Sequence, residues 1–222
     1  MKATLTALLL LAVPVAAQRP NDPATCPYCL NDPALMEAAG IVSHGGFGFA
    51  TSDTAAIDRL MATSDIRWIE TPHFELGIAL GPYKPKQSEK NKLREELTEL
   101  QLALPEVNPK ERVLDPWLRA HLYAMRAEKL WDRFLELMQV EASAFPPPDT
   151  KWDMTGKYMG NGPYLGQSGK FEVLLLPSEA SSVTFLKEQF GLLIKKTQRW
   201  NVIPHDTLIL VAHQDQGQFR ID

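Results

Sequence analysis

The segment between Asp115 and Pro146 constrains the fold of this chain more than any other. Its apolar residues recur every three or four positions, which predicts one long amphipathic helix, capped by Asp115 and ending near Ser143 before Pro146. At 1.5 Å per residue such a helix is roughly 40 Å long and should cross the whole domain. The predicted apolar stripe comprises Trp117, His121, Ala124, Trp131, Leu135 and Met138, broadened by Leu130, Phe134 and Leu137.

Shorter elements are predicted on both sides of this helix. Polar capping residues open further helices, and apolar runs or period-two alternation indicate strands. The order of elements predicts an α+β fold, in which a small mixed sheet packs against the long amphipathic helix and a short helical segment precedes both. The predicted helices begin at Asp32, Asp53, Ser88 and Ser178, and the predicted strands lie near 66–70, 74–78, 171–176 and 207–212.

The first 17 residues have the pattern of a secretory leader. Lys2 provides the positive charge, an apolar run follows, and small residues place cleavage before Gln18. The run is too short to span a bilayer, so the mature chain is expected to be secreted or periplasmic, without membrane insertion. The remainder divides into a cysteine-containing segment, 18–65, and an α+β domain, 66–222, which ends without an obvious terminal signal and could continue in a longer protein.

The formal net charge of −4 becomes −5 when Lys2 is removed with the leader. Such mild acidity gives no electrostatic reason to bind nucleic acid. The expected partner is therefore an unidentified protein or a component of the cell envelope. A peptide- or glycan-binding module is one alternative, because aromatic rings can stack on either ligand. The aromatic residues available for it are Trp152, Tyr158 and Tyr164.

Cys26 and Cys29, in Cys-Pro-Tyr-Cys, are the only cysteines. In an oxidising compartment two thiols at this spacing are expected to form a disulfide. The alternative is a zinc site that combines both thiolates with His44 and His73, since zinc accepts two sulfurs and two imidazoles in a tetrahedron. The tetrapeptide also equals that of glutaredoxins, but no strand precedes it to hold a reactive thiol at a helix N-terminus. Apart from zinc, no cofactor is expected.

No complete catalytic motif is present. The histidines show no His-Glu-x-x-His spacing, and no Gly-x-Ser-x-Gly elbow occurs. His121, on the apolar stripe of the long helix, is interpreted as a hydrogen-bonded core residue. No catalytic residue is therefore assigned, and a non-catalytic scaffold or binding domain is the leading hypothesis.

The region from about 66 to 212 resembles the N-terminal half of zincin-like peptidase domains of the gluzincin type. The resemblance rests on 71–76 as an opening strand, on 127–134 within a backing helix, and on 170–177 as the next strand. It implies a mixed sheet backed by a long helix. The catalytic helix of that family would follow the strand at 207–212, where this chain has only a few residues left, so the resemblance transfers no catalytic residue.

Overall fold

The structure, a computed structural model, describes residues 25–62, 64–147, 155 and 159–214. The predicted leader and residues 215–222 lie outside this range. The elements are α1 (Pro33–Ala38), β1 (Gly48–Phe49), β2 (Ser52–Asp53), α2 (Thr54–Leu60), β3 (Arg67–Glu70), β4 (Phe74–Ile78), α3 (Lys90–Ala103), α4 (Pro116–Met138), β5 (Phe171–Leu176), α5 (Glu179–Phe190), β6 (Gln198–Val202) and β7 (Thr207–His213).

A five-stranded mixed sheet with the order β3-β4-β5-β7-β6 forms the centre of the fold. Strands β4, β5 and β7 run parallel, and an antiparallel strand closes each edge. Strands β1 and β2 form a separate two-stranded sheet. The α+β prediction is confirmed.

Each face of the sheet carries its own apolar core. On one face, α3 and α4 pack over β4 through residues such as Leu76, Leu97 and Trp117. On the other face, α2, α5 and the β1–β2 hairpin cover β5 and β7. The N-terminal residues contribute to both cores, because Cys26 lies in the first and Phe49 in the second.

The long helix is present but shorter than expected. Helix α4 ends at Met138, five residues before Ser143, because Gln139 adopts a left-handed conformation with φ of 54°. Its first half is almost wholly buried. Four apolar residues of the predicted stripe lie in its last turns and are 40% to 64% exposed, so they are not part of the core: Leu130, Phe134, Leu137 and Met138.

Four of the predicted capping residues account for where their helices begin, but Ser88 does not, because α3 begins at Lys90 without a side-chain cap. Asp32, Asp53, Asp115 and Ser178 each accept hydrogen bonds from the first free amides of their helix. Strand β6 has no counterpart in the sequence prediction. Within the part of the chain that the structure describes, none of the helices combines the length and apolar character that a bilayer span requires.

Candidate metal centre

Cys26 and Cys29 lie on one tight turn that leads into α1. The amide of Leu30 donates to the carbonyl of Cys26 at 3.0 Å, and the amide of Asp32 donates to the carbonyl of Cys29 at 2.7 Å. The amides of Tyr28 and Cys29 both point at the Sγ atom of Cys26, each at 3.4 Å. Two backbone donors aimed at one sulfur lower its pKa, but the hydrogen bond to Cys29 and burial outweigh them at Cys26.

Helix α4 brings His121 to this turn. The Nε2 atom of His121 lies 2.9 Å from the Sγ atom of Cys26, although the two residues are 95 positions apart. Tyr28 holds the cysteine turn against α4, because its hydroxyl donates to Asp115, the residue that caps this helix. The ring of Tyr28 also meets the ring of His121 edge-on, with centroids 6.0 Å apart.

His44 approaches the second sulfur from the loop before β1. Its Nε2 atom lies 3.1 Å from the Sγ atom of Cys29, and its Nδ1 atom lies 3.1 Å from the backbone oxygen of Trp68. The ring stands edge-on to Trp117, at a centroid distance of 5.0 Å. Three of the four predicted ligands therefore lie near one another, namely Cys26, Cys29 and His44.

The ligand atoms of Cys26, Cys29 and His121 all lie within 4.8 Å of one another. Both cysteines are free thiols and fully buried, and His121 is 2% exposed. Two sulfurs and an imidazole nitrogen at such distances could hold a metal ion, and this donor set suits zinc. The Cys26–Cys29 disulfide stays a prediction.

The pKa values of the two thiols are shifted in opposite directions. Hydrogen bonding from Cys26 lowers the pKa of Cys29, and His121 and His44 lower it further. The same hydrogen bond to Cys29, together with burial, raises the pKa of Cys26. Burial lowers the pKa of His121, which favours its neutral form. Within this pair Cys29 is thus the more readily ionised thiol, and His121 favours its neutral form; thiolate and neutral imidazole are the forms in which these groups bind metals.

His73, predicted as the second histidine ligand, is not part of this group. Its Nδ1 atom lies 2.6 Å from a carboxylate oxygen of Glu128, and its ring stacks on Trp131 at 3.9 Å. Glu128 follows His121 by two helical turns, about 10 Å along α4. The structure thus places His121, interpreted from the sequence as a core residue, where the prediction had placed His73.

The aromatic residues of the predicted binding module are only partly described. Tyr164 meets His73 edge-on, with ring centroids 6.4 Å apart. Trp152 and Tyr158 lie outside the described residues.

A second polar cluster, absent from the sequence prediction, crosses three strands on the face opposite α4. Glu75 pairs in register with Glu70 on β3 and with Glu172 on β5, so the three carboxylates lie side by side. Lys170 binds Glu70 at 2.6 Å, while Glu172 lies 3.1 Å from His205. Burial, then the charges of Glu172 and Glu70, raises the pKa of Glu75 to about 8.

Comparison with protein-family models, with characterised proteins and with solved structures gives no match for this chain.

Proposed function

We propose that this chain is an exported, non-catalytic α+β protein in which one zinc ion, bound by Cys26, Cys29 and His121, fastens the N-terminal segment to the fold. The observation that carries the proposal is the convergence of these three ligand atoms within 4.8 Å. The ligands come from a turn and from a helix that are far apart in the sequence. A metal bound there would therefore cross-link the chain.

Electrostatics supports an ion at this position. A thiolate buried without a compensating charge is costly, and a divalent cation offsets that cost. The two amides directed at the Sγ atom of Cys26 would hold that sulfur in place when it binds the metal. The neutral imidazole of His121 already has its Nε2 atom beside the same sulfur.

The role that follows is structural. The helix of the N-terminal segment adds little burial, because α1 has only six residues and none of them is buried. Metal binding to such a segment contributes directly to its folding free energy, because the unfolded chain offers no preformed site. The proposed zinc ion would thus do for residues 26–44 what a disulfide does in other small exported segments.

The test is the metal content of the purified protein. Zinc should co-purify at about one ion per chain, and Cys29→Ser and His121→Ala should lose it. His73→Gln is the matched control, because His73 contacts the same helix two turns away and should leave the zinc content unchanged. A metal-free wild-type protein in which alkylation finds both thiols blocked would contradict the proposal and support the disulfide.

Export is tested separately. The leader pattern of residues 1–17 supports cleavage before Gln18, so mass spectrometry of the protein recovered from the cell envelope or medium should show a mature chain beginning there. A chain retained in the cytosol with Met1 or Lys2 at its N-terminus would contradict export and leave the metal proposal standing.

A further inference from the structure

We infer that His44 is the fourth protein ligand of this centre, so that the bound metal is fully enclosed by side chains and carries no water. The inference rests on the proposed zinc site and concerns its coordination. Its consequence is chemical, since a zinc ion with four protein ligands is structural, whereas a catalytic zinc keeps one position open for water or substrate.

The hydrogen bonding of His44 is that of a metal-binding imidazole. Its Nδ1 atom is 3.1 Å from the backbone oxygen of Trp68, which can only accept, so Nδ1 carries the proton. The lone pair is thereby on Nε2, the atom 3.1 Å from the Sγ atom of Cys29. Ligating histidines are oriented in this way, with the second ring nitrogen donating to a carbonyl or carboxylate.

The distance from each sulfur to its neighbouring imidazole approaches that of a tetrahedral site, although His44 is not yet within 4.8 Å of all three other ligands. Zinc–sulfur and zinc–nitrogen bonds of about 2.3 and 2.0 Å put a sulfur and a nitrogen roughly 3.5 Å apart. The pair Cys29–His44 is at 3.1 Å and the pair Cys26–His121 is at 2.9 Å. Each sulfur thus has one imidazole beside it, and both pairs need to open by about half an ångström to admit the ion.

The two imidazoles also need to come closer together. The ring centroids of His44 and His121 are 6.2 Å apart, and two histidines on one tetrahedral zinc have centroids roughly 5 Å apart. His44 is the ligand that can move, because His121 is fixed within α4. Its loop contains Gly45 and Gly46, both with positive φ, and backbone of this kind adapts at little cost. Metal binding would thus draw the loop of His44 towards the helix.

The deciding experiment is X-ray absorption at the zinc edge on the wild-type protein, on His44→Ala and on the control His73→Gln. The wild type and the control should show two sulfurs and the outer-shell scattering of two imidazole rings, which separates imidazole from water as the remaining ligand. His44→Ala should replace one nitrogen by an exchangeable water, which added imidazole displaces. Its zinc affinity should fall by about 100-fold or more, beyond the loss usual for a group that only supports a ligand.

The outcomes separate this inference from the proposed function. A wild-type site with two sulfurs, one nitrogen and a water, unchanged by His44→Ala, would overturn the role of His44 and leave the three-ligand site intact. Failure of the wild type to bind zinc at all would instead reject the site itself. A cobalt-substituted sample gives a second readout, because a closed site should keep its visible spectrum when azide is added and the His44→Ala site should not.

Discussion

At the residue scale, Glu75 shows how a strand register sets a proton affinity. Its partners across both neighbouring strands are glutamates, and burial adds to their repulsion. The raised pKa of about 8 means that the folded protein holds a proton on Glu75 that the unfolded chain releases near its ordinary value of 4.5. Lys170, paired with Glu70, only partly offsets the negative charge of the row.

The stability of the fold should therefore decrease as pH rises from about 4.5 through about 8. The stabilisation from the proton bound to folded Glu75 is fully present below the unfolded pKa of about 4.5. It is lost once the pH passes the folded pKa of about 8. Glu75→Gln should remove this loss, which is on the order of 1–2 kcal/mol because Glu75 is partly solvated. Urea unfolding at about pH 6 and about pH 9 measures it. The exposed Glu95→Gln is the control, and a wild-type slope retained in Glu75→Gln would contradict the assignment.

Tyr28 is a second residue at which the structure makes a specific prediction. Its hydroxyl donates to Asp115, and burial followed by that hydrogen bond raises its pKa. Tyr28→Phe should leave Asp115 with one partner fewer and reduce the free energy of unfolding by about 1–2 kcal/mol. Chemical denaturation measures the change. Tyr164→Phe, whose ring lies in a loop, should change stability by less; equal effects would show that the Tyr28 hydroxyl contributes nothing specific.

At the scale of single elements, α4 depends on the residue before it. Asp115 accepts from the amides of Trp117 and Leu118 at 2.8 and 3.1 Å, and it also receives the hydroxyl of Tyr28. Asp115→Ala should reduce the free energy of unfolding by about 2 kcal/mol, at the upper end for a helix cap. Asp115→Asn retains a capping oxygen and should cost less. Circular dichroism during urea unfolding distinguishes them, and equal losses in both variants would contradict the capping role.

Strand β4 contains a position that only glycine fits. A Cβ atom at Gly77 would lie 2.6 Å from the ring of Trp68 and 2.8 Å from Leu174, both buried. Gly77→Ala should therefore destabilise the protein by about 1–3 kcal/mol through overpacking. Gly81 has open space around its Cα atom, so Gly81→Ala is the matched control. Thermal unfolding of both variants tests this, and a Gly77→Ala protein as stable as the control would contradict it.

Elements with local signals were predictable, and those defined by distant contacts were not. The helices that follow Asp115 and Ser178 were predictable, because a capping side chain bonds to amides within the next turn and so leaves a local sequence signal. Strand β6 escaped prediction because it is an edge strand with mostly exposed polar side chains, so no apolar alternation marks it. The end of α4 was misplaced because the left-handed turn at Gln139 carries no glycine signal. His121 was overlooked as a ligand because its partner Cys26 is 95 residues away.

At the scale of the whole molecule, α4 is the element on which distant parts of the chain meet. Its capping residue Asp115 receives Tyr28, and His121 in its second turn contacts the cysteine turn. Glu128 holds the β3–β4 connection through His73. On its outer side, Arg126 pairs with Glu96 of α3. The folding of the N-terminal segment should thus depend on α4 already being in place.

Removal of the proposed metal should have a graded effect. Chelation should lower amide protection across residues 26–44, since zinc contributes the cross-link there, while the central sheet keeps its protection. Hydrogen exchange with and without chelator measures this difference. A uniform loss of protection across β4, β5 and β7 would contradict it, because it would mean that the whole fold depends on the ion.

The separation of the two cores by the sheet has a practical consequence. Trp68 belongs to one core, and Trp117 belongs to the other, where its ring stands beside His44 and His121. Among the five tryptophans of the chain, these two thus lie on opposite sides of the central sheet, and Trp117 neighbours the metal-binding groups. Comparing the emission of the wild type with that of Trp68→Phe and Trp117→Phe isolates the signal of each ring. The two signals show whether both cores unfold together, and the Trp117 signal also reports metal binding.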